Sequence, residues 1–223
     1  QRGDSLSPLH GLPVSIKDLE MPKGSPATVG SAVFKRRPPE ADSVVVERIR
    51  QAGAIILGKT NTPEFGLSGT TETKVGGPGR NPWNPERTSG GSSGGAAAAL
   101  ASGLCTLASG SDGGGSIRIP ASFCGVFGIK PSQGRVPRFG GYGRPAANQF
   151  SQSCPMSRTV ADAAIFLQEL AGTVPRYPTP PRPAPPHSPP RPTPGLKRLL
   201  TAWSPSSGLA RPSPALARTA GRP

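Results

Sequence analysis

Apolar and polar residues alternate through Pro13-Val14-Ser15-Ile16-Lys17-Asp18, the period of two that predicts a strand. Residues 19 to 41 carry no core pattern and read as a long irregular connection. Val44-Val45-Val46-Glu47-Arg48-Ile49-Arg50-Gln51-Ala52 then predicts a helix, with Asp42 or Ser43 placed to cap its start and Gly53 its end. Ala54-Ile55-Ile56-Leu57-Gly58 is a short unbroken apolar run, the signature of a second strand. Strand, helix, strand at this spacing predicts a parallel pair with a right-handed crossover, buried on both faces. The fold class expected is therefore α/β. Lys17 falls at the carboxyl end of the first strand, the edge where open α/β sheets place their ligands. Taken alone, a lysine there is most simply a solvated strand end.

Residues 61 to 87 read as loops, with Pro78, Pro82 and Pro85 set against regular structure and Trp83 expected to pack beneath them. Glu64 reads as a cap or ion-pair partner rather than a catalytic carboxylate. The alanine-rich run Ala96 to Leu104 predicts a short buried helix. Gly125 to Ile129 is strand-like, and residues 133 to 157 are loop-like. Thr159 with Asp162 forms a capping box for a helix from Val160 to Leu170, with Val160, Ala164, Leu167 and Leu170 on its apolar face.

Two glycine-serine clusters bracket the alanine-rich helix, Gly90-Gly91-Ser92-Ser93-Gly94-Gly95 and Asp112-Gly113-Gly114-Gly115-Ser116. Such clusters are usually linkers, but linkers do not normally flank a hydrophobic helix and run on into a strand. A phosphate loop of the Walker type would need a lysine in the cluster, and neither has one. Glycine at a loop–helix junction permits positive φ and lets backbone N–H groups converge. A serine held beside them is a nucleophile with an oxyanion hole at hand. His10 is the one histidine outside the C-terminal segment, so a Ser–His–Asp triad lacks a well-placed base and a nucleophilic serine must be activated otherwise, serine–lysine being one known variant.

Composition changes the picture mainly at the C-terminus. Of 30 prolines, 15 fall in residues 173–223, together with eight basic residues and no acidic ones. More than half of the net charge of +14 thus belongs to this segment, and the preceding residues are not expected to bind nucleic acid specifically. Cys105, Cys124 and Cys154 read as buried free thiols of a reducing compartment, and a cytoplasmic location is expected. No residue spacing predicts a metal site, and no apolar run is long enough to cross a bilayer. The chain opens on Gln1 rather than Met, so a natural start upstream is expected.

Four blocks, GLPVSIKD (11–18), GKTNTPEFG (58–66), RNPWNPERTSGGSSGG (80–95) and GSDGGGSIRIPASFCGVFGIKPS (110–132), in this order and spacing, resemble the amidase signature family. That family comprises serine hydrolases with a Ser–Ser–Lys triad, and the likeness runs from about Gly11 to Gly172. It implies part of an α/β/α domain with a mixed sheet over residues 1–172. It also implies Lys17 as base, Ser92 as bridging serine in a cis peptide arrangement, and Ser116 as nucleophile. The N–H groups of Gly113, Gly114, Gly115 and Ser116 would form the oxyanion hole, with Ser93 as a supporting partner. Asp112 and Arg118 are expected to be structural, pairing with backbone or each other.

To accept a proton near neutrality, Lys17 needs its pKa lowered by roughly three units, with Asp18 turned away. The reaction implied is hydrolysis of a small-molecule amide through an acyl-enzyme, with neither metal nor organic cofactor, and in an undetermined oligomeric state. Two alternatives stand beside it. One is the A subunit of glutamyl-tRNA amidotransferase, against which Thr62-Pro63-Glu64-Phe65 departs from the usual Met-Asp-Glu-Phe. The other is an inactive fragment or interaction protein acting through residues 173–223. That segment is expected to be disordered, either a genuine polyproline-type tail or, preferably, out-of-frame translation of a GC-rich gene.

Overall fold

In the computed structural model, residues 6–34, 38–138 and 150–174 are described. The expectation for residues 173–223 therefore lies almost wholly outside the described residues. In chain order the elements are β1 (Pro13–Lys17), α1 (Val44–Gln51), β2 (Ile55–Thr60), β3 (Glu72–Thr73), β4 (Gly77–Pro78), β5 (Arg80–Asn81) and β6 (Asn84–Thr88). There follow α2 (Gly94–Ala101), β7 (Leu107–Asp112), α3 (Arg118–Cys124), β8 (Phe127–Gly128), β9 (Gln152–Ser157) and α4 (Val160–Leu170). Five strands form one mixed sheet in the order β2-β1-β7-β9-β8. β1 runs parallel to β2 and β7, whereas β9 is antiparallel to β7 and β8.

The alternation in β1 decides what each side of the sheet holds. Val14 and Ile16 join Leu107 in a core with Val45, Val46 and Ile49 of α1 and Phe166 and Leu170 of α4. A second core joins Ala108, Cys154 and Met156 to Ala96, Ala97 and Leu100 of α2 and Ile117, Ala121 and Cys124 around α3. The result is an α/β/α arrangement with β1 and β7 at its centre.

Several local expectations are corrected. The β1–β2 pair is parallel, but β2 is not buried on both faces: Ile55 and Leu57 are each 55% exposed. Among the described residues it is an end strand with a single neighbour, whereas β1, between two strands, buries Val14 through Lys17. The prolines of 61–87 do not preclude regular structure, because β3–β4 and β5–β6 are two-stranded ladders that hold Pro78 and Pro85. Each strand of such a ribbon keeps one open edge, where a missing N–H leaves nothing unpaired. Trp83 is 71% exposed because it lies in the two-residue turn between β5 and β6; its Nε1 still donates to Cys124 O at 2.8 Å. Glu64 neither caps nor pairs; it is exposed in a single 3₁₀ turn, Glu64–Gly66, and makes no ion pair among the described residues.

The loop expected over 133–157 contains β9, whose six residues are all buried although Gln-Ser-Cys-Pro-Met-Ser shows no apolar alternation. Pro155 pairs with Ser109 on one side only, a position that tolerates a residue without N–H. α2 begins two residues earlier than expected and ends before Gly103, which leaves Leu104 exposed. α3 was hidden by Pro120, which stands in its first turn, where no N–H is required. The Gly125–Ile129 strand shortens to β8. The capping box of α4 is present, Thr159 Oγ1 accepting from Asp162 N at 3.1 Å, but the buried face is Ala163, Phe166 and Leu170, with Val160 exposed. Ser43 occupies the N-cap of α1 without capping it; its hydroxyl donates to Glu20 Oε2 at 2.6 Å.

Candidate active site

Lys17 ends β1 on the side of the small-residue core and is 1% exposed. Its Nζ lies 2.7 Å from Ser92 Oγ, 2.9 Å from Ser93 Oγ and 3.0 Å from Ser111 Oγ, while its backbone N–H donates to Ser109 Oγ at 3.1 Å. Burial pushes the amine down from the ordinary lysine range, and the positive Arg138 pushes it further; Glu20 and Asp112 pull it back, and it stands at about 7. Asp18 gives it no help, because that carboxylate accepts from Thr28 and pairs with Lys59. A neutral amine has two N–H donors and one lone pair, which suits three hydroxyl neighbours. Ser93 donates its own proton to Ser111 O at 3.3 Å, so it can only accept from Nζ. The lone pair is left for Ser92 or Ser111.

The serines reach this point because of the glycines around them. The Gly91–Ser92 peptide is cis, and α2 begins immediately after Ser93. A side chain at Gly110 of β7 would come within 3.0 Å of Ser93 Oγ and 3.1 Å of Ile117, so only glycine lets the strand lie against the loop. Ser93 N–H donates to Ser116 O at 3.0 Å and ties the two clusters together.

Asp112, at the end of β7, organises the second cluster. It accepts from the N–H groups of Gly115 at 2.8 Å and Ile117 at 3.2 Å, and from Arg118 Nε and Nη2 at 2.9 and 3.0 Å. Burial alone would raise its carboxyl; the Arg118 and backbone hydrogen bonds outweigh that and hold it at about 2. Asp112 and Arg118 thus pair with each other and with backbone. Gly115, at φ +121°, turns its N–H to Asp112, which removes it from the donors expected for an oxyanion. The N–H groups of Gly113, Gly114 and Ser116 have no hydrogen-bond partner among the described residues.

Ser116 is half-buried and shares a cavity of about 320 Å³ with Ser92, Ser111, Gly113, Gly114 and Arg138, walled by Leu19 and Phe65. A larger concavity of about 780 Å³, beside Glu64, Glu72, Lys74 and Arg80, holds none of the serines around Lys17. Ser111 and Arg138 were not anticipated from sequence, nor was Lys130, which donates to Gly113 O at 2.9 Å. The available signal was the Ser-Gly-Ser-Asp run of β7: polar residues leading into a glycine cluster, all buried here. Cys105, Cys124 and Cys154 are buried and free, and burial raises the thiol of each. Among the described residues no acidic, histidine and cysteine side chains cluster as a metal would require, and no helix is long and apolar enough to cross a membrane.

The chain is 52% identical over 175 residues to the A subunit of glutamyl-tRNA(Gln) amidotransferase from Synechococcus sp. (strain WH7803), a match covering 78% of this chain and 35% of that protein. It spans about a third of the length of the curated relatives it matches. Its fold is similar to that of native peptide amidase from Stenotrophomonas maltophilia, with a TM-score of 0.72 and 37% identity over 77% of this chain and 36% of that one. A protein from a vestigial complex tied to the origins of an s-triazine catabolic enzyme gives a TM-score of 0.74 and 41% identity, over 79% of this chain and 38% of that one. The Amidase family model matches residues 1–220, and the chain belongs to that amidase signature family.

Proposed function

We propose that this chain carries the acylation machinery of an amide-cleaving enzyme. The observation that carries the reading is the buried amine of Lys17, in contact with three serine hydroxyls and without a carboxylate partner among the described residues. Neutral Lys17 takes the proton of Ser92, and Ser92 takes that of Ser116, a hydroxyl being both donor and acceptor. Ser116 Oγ then attacks the amide carbonyl. The tetrahedral oxyanion is met by the N–H groups of Gly113, Gly114 and Ser116, each such donor typically contributing about 2.7–4 kcal/mol. Collapse returns the proton to the departing nitrogen, leaving an acyl-serine that water hydrolyses along the same relay. The substrate is a small-molecule amide, and the free buried thiols fit a reducing, cytoplasmic setting. A fluorophosphonate probe should label the protein, with labelling lost in Ser116→Ala; undiminished labelling of that variant sinks the assignment.

A second reading is favoured by the 52% identity to the A subunit of an amidotransferase: the ammonia freed on acylation would be passed to a charged tRNA instead of being released to solvent. The departure at Thr62-Pro63 speaks for the stand-alone amidase. Copurification with other chains of such an enzyme, and nitrogen transfer that needs them, would decide for the amidotransferase. A folded protein that neither labels nor hydrolyses amides would make it an inactive member of the family.

A further inference from the structure

The four residues from Lys17 to Glu20 form a tight turn, closed by Glu20 N–H donating to Lys17 O at 2.9 Å, and all four are buried. Their side chains separate: Lys17 goes to the serines, Asp18 to Thr28 and Lys59, Leu19 to the cavity wall. Glu20 goes to a place the reaction does not use. Its Oε2 accepts from Ser43, at the start of α1, at 2.6 Å, and its Oε1 accepts from Ser153 of β9 at 3.1 Å. Glu20 forms no ion pair among the described residues. Two neutral hydroxyls and no cation among the described residues meet this carboxyl, and the low polarity around it lets a charge there be felt further than in water.

We propose that Glu20 is a positioning residue for Lys17: it staples the end of β1 to α1 and β9, and its charge bears on the neighbouring amine. The proposal rests on Lys17 being the base of the reaction. The staple acts through geometry. Displacing Glu20 would free the turn that aims Lys17, because the turn's other buried carboxylate, Asp18, anchors the following loop instead of the helix or β9.

The charge acts through proton affinity. The charged or titratable groups that bear on Lys17 are Arg138, which favours the neutral amine, and Asp112 of β7 and Glu20, which favour the ammonium; Cys154 of β9 also faces it, but burial raises that thiol and leaves it uncharged near neutrality. Asp112 is already matched by Arg118 and Lys130. Glu20 has no such match, so its removal should leave Arg138 less opposed and the amine easier to deprotonate.

Glu20→Gln keeps the shape and removes the charge; one hydroxyl must turn to accept from the amide, which serine can do. The experiment follows the Cε resonance of Lys17 in ¹³C-lysine-labelled full-length protein through a pH titration, with Lys17→Arg to identify it. The expected result is a midpoint near 7 in the parent chain and a downward move of about one pH unit in Glu20→Gln. A midpoint near 7 that does not move overturns the role of Glu20 and leaves Lys17 as base intact. A parent midpoint in the ordinary lysine range overturns the base assignment, and the proposal with it. Should Glu20→Gln fail to fold, the triple variant Glu20→Met, Ser43→Ala, Ser153→Ala strands no donor and reads the same midpoint. A downward move there supports the proposal, and no move overturns it.

Discussion

The two sides of the central sheet solve different problems with different residues. Toward α1 and α4 the sheet meets valine, isoleucine, leucine and phenylalanine; toward α2 and α3 it meets mainly alanine, cysteine, glycine and serine. Large branched side chains remove more apolar surface from water, at roughly 25 cal/mol per Å². Small ones let backbones approach, which is what brings Ser92, Ser93 and Ser111 within 3.0 Å of one amine. β1 serves both at once, Val14 and Ile16 on one side, Ser15 and Lys17 on the other. Stability is concentrated where nothing reacts, and the reactive side carries a buried amine that works against it.

The comparison is open to attack from both sides. The largest effect is expected for Lys17→Met, which should lower the rate of acylation by roughly 10²–10⁴. The same variant should remove a pH dependence of stability. The folded amine, at about 7, lies below its ordinary value of 10.5, so between those values the unfolded chain binds more protons and stability rises with pH. Below about 7 the penalty is complete, on the order of 5 kcal/mol. Denaturant midpoints from pH 6 to 10.5 should climb in the parent and run flat in Lys17→Met; equal slopes would break the claim that the reactive side is the costly one.

Next in size is Phe166→Ala on the other side, expected to cost about 3–5 kcal/mol of stability. In the fraction that stays folded, the Lys17 titration should be unmoved; a displaced midpoint would mean that the two sides are coupled through β1. The smallest is Thr159→Ala, which removes the cap of α4 and should cost about 1 kcal/mol in a thermal or urea melt with acylation unchanged. A larger loss would show that α4 depends on its cap more than on Phe166 and Leu170.

Much of this was legible before any coordinates. The alternation of β1, the helix from Val44, the capping box at Thr159 and the two glycine clusters are local patterns, and each formed where the residues indicated. Lys17, Ser92, Ser93, Asp112 and Arg118 do come together or pair as expected. The elements that escaped were polar but buried. β9 falls in a stretch that reads as a loop and β7 in one that gives no strand signal, because Gln-Ser-Cys-Pro-Met-Ser and Leu-Ala-Ser-Gly-Ser-Asp are mostly small or polar, yet each is buried along its whole length. Strand propensity reflects fit to neighbours more than the residue itself, so a strand whose neighbours are distant in the chain leaves little local mark.

The sequence by itself determined which groups are available: a lysine at a strand's carboxyl end, serines among glycines, and a carboxylate three residues beyond the lysine. Only the tertiary structure decided their states. Whether Lys17 is charged depends on its burial and on Arg138, Asp112 and Glu20, which lie on separate elements. Whether Gly115 can serve an oxyanion depends on Asp112 having claimed its N–H. Proton affinity and donor availability are set by what lies within a few ångströms, and that is fixed by packing between segments far apart in the chain.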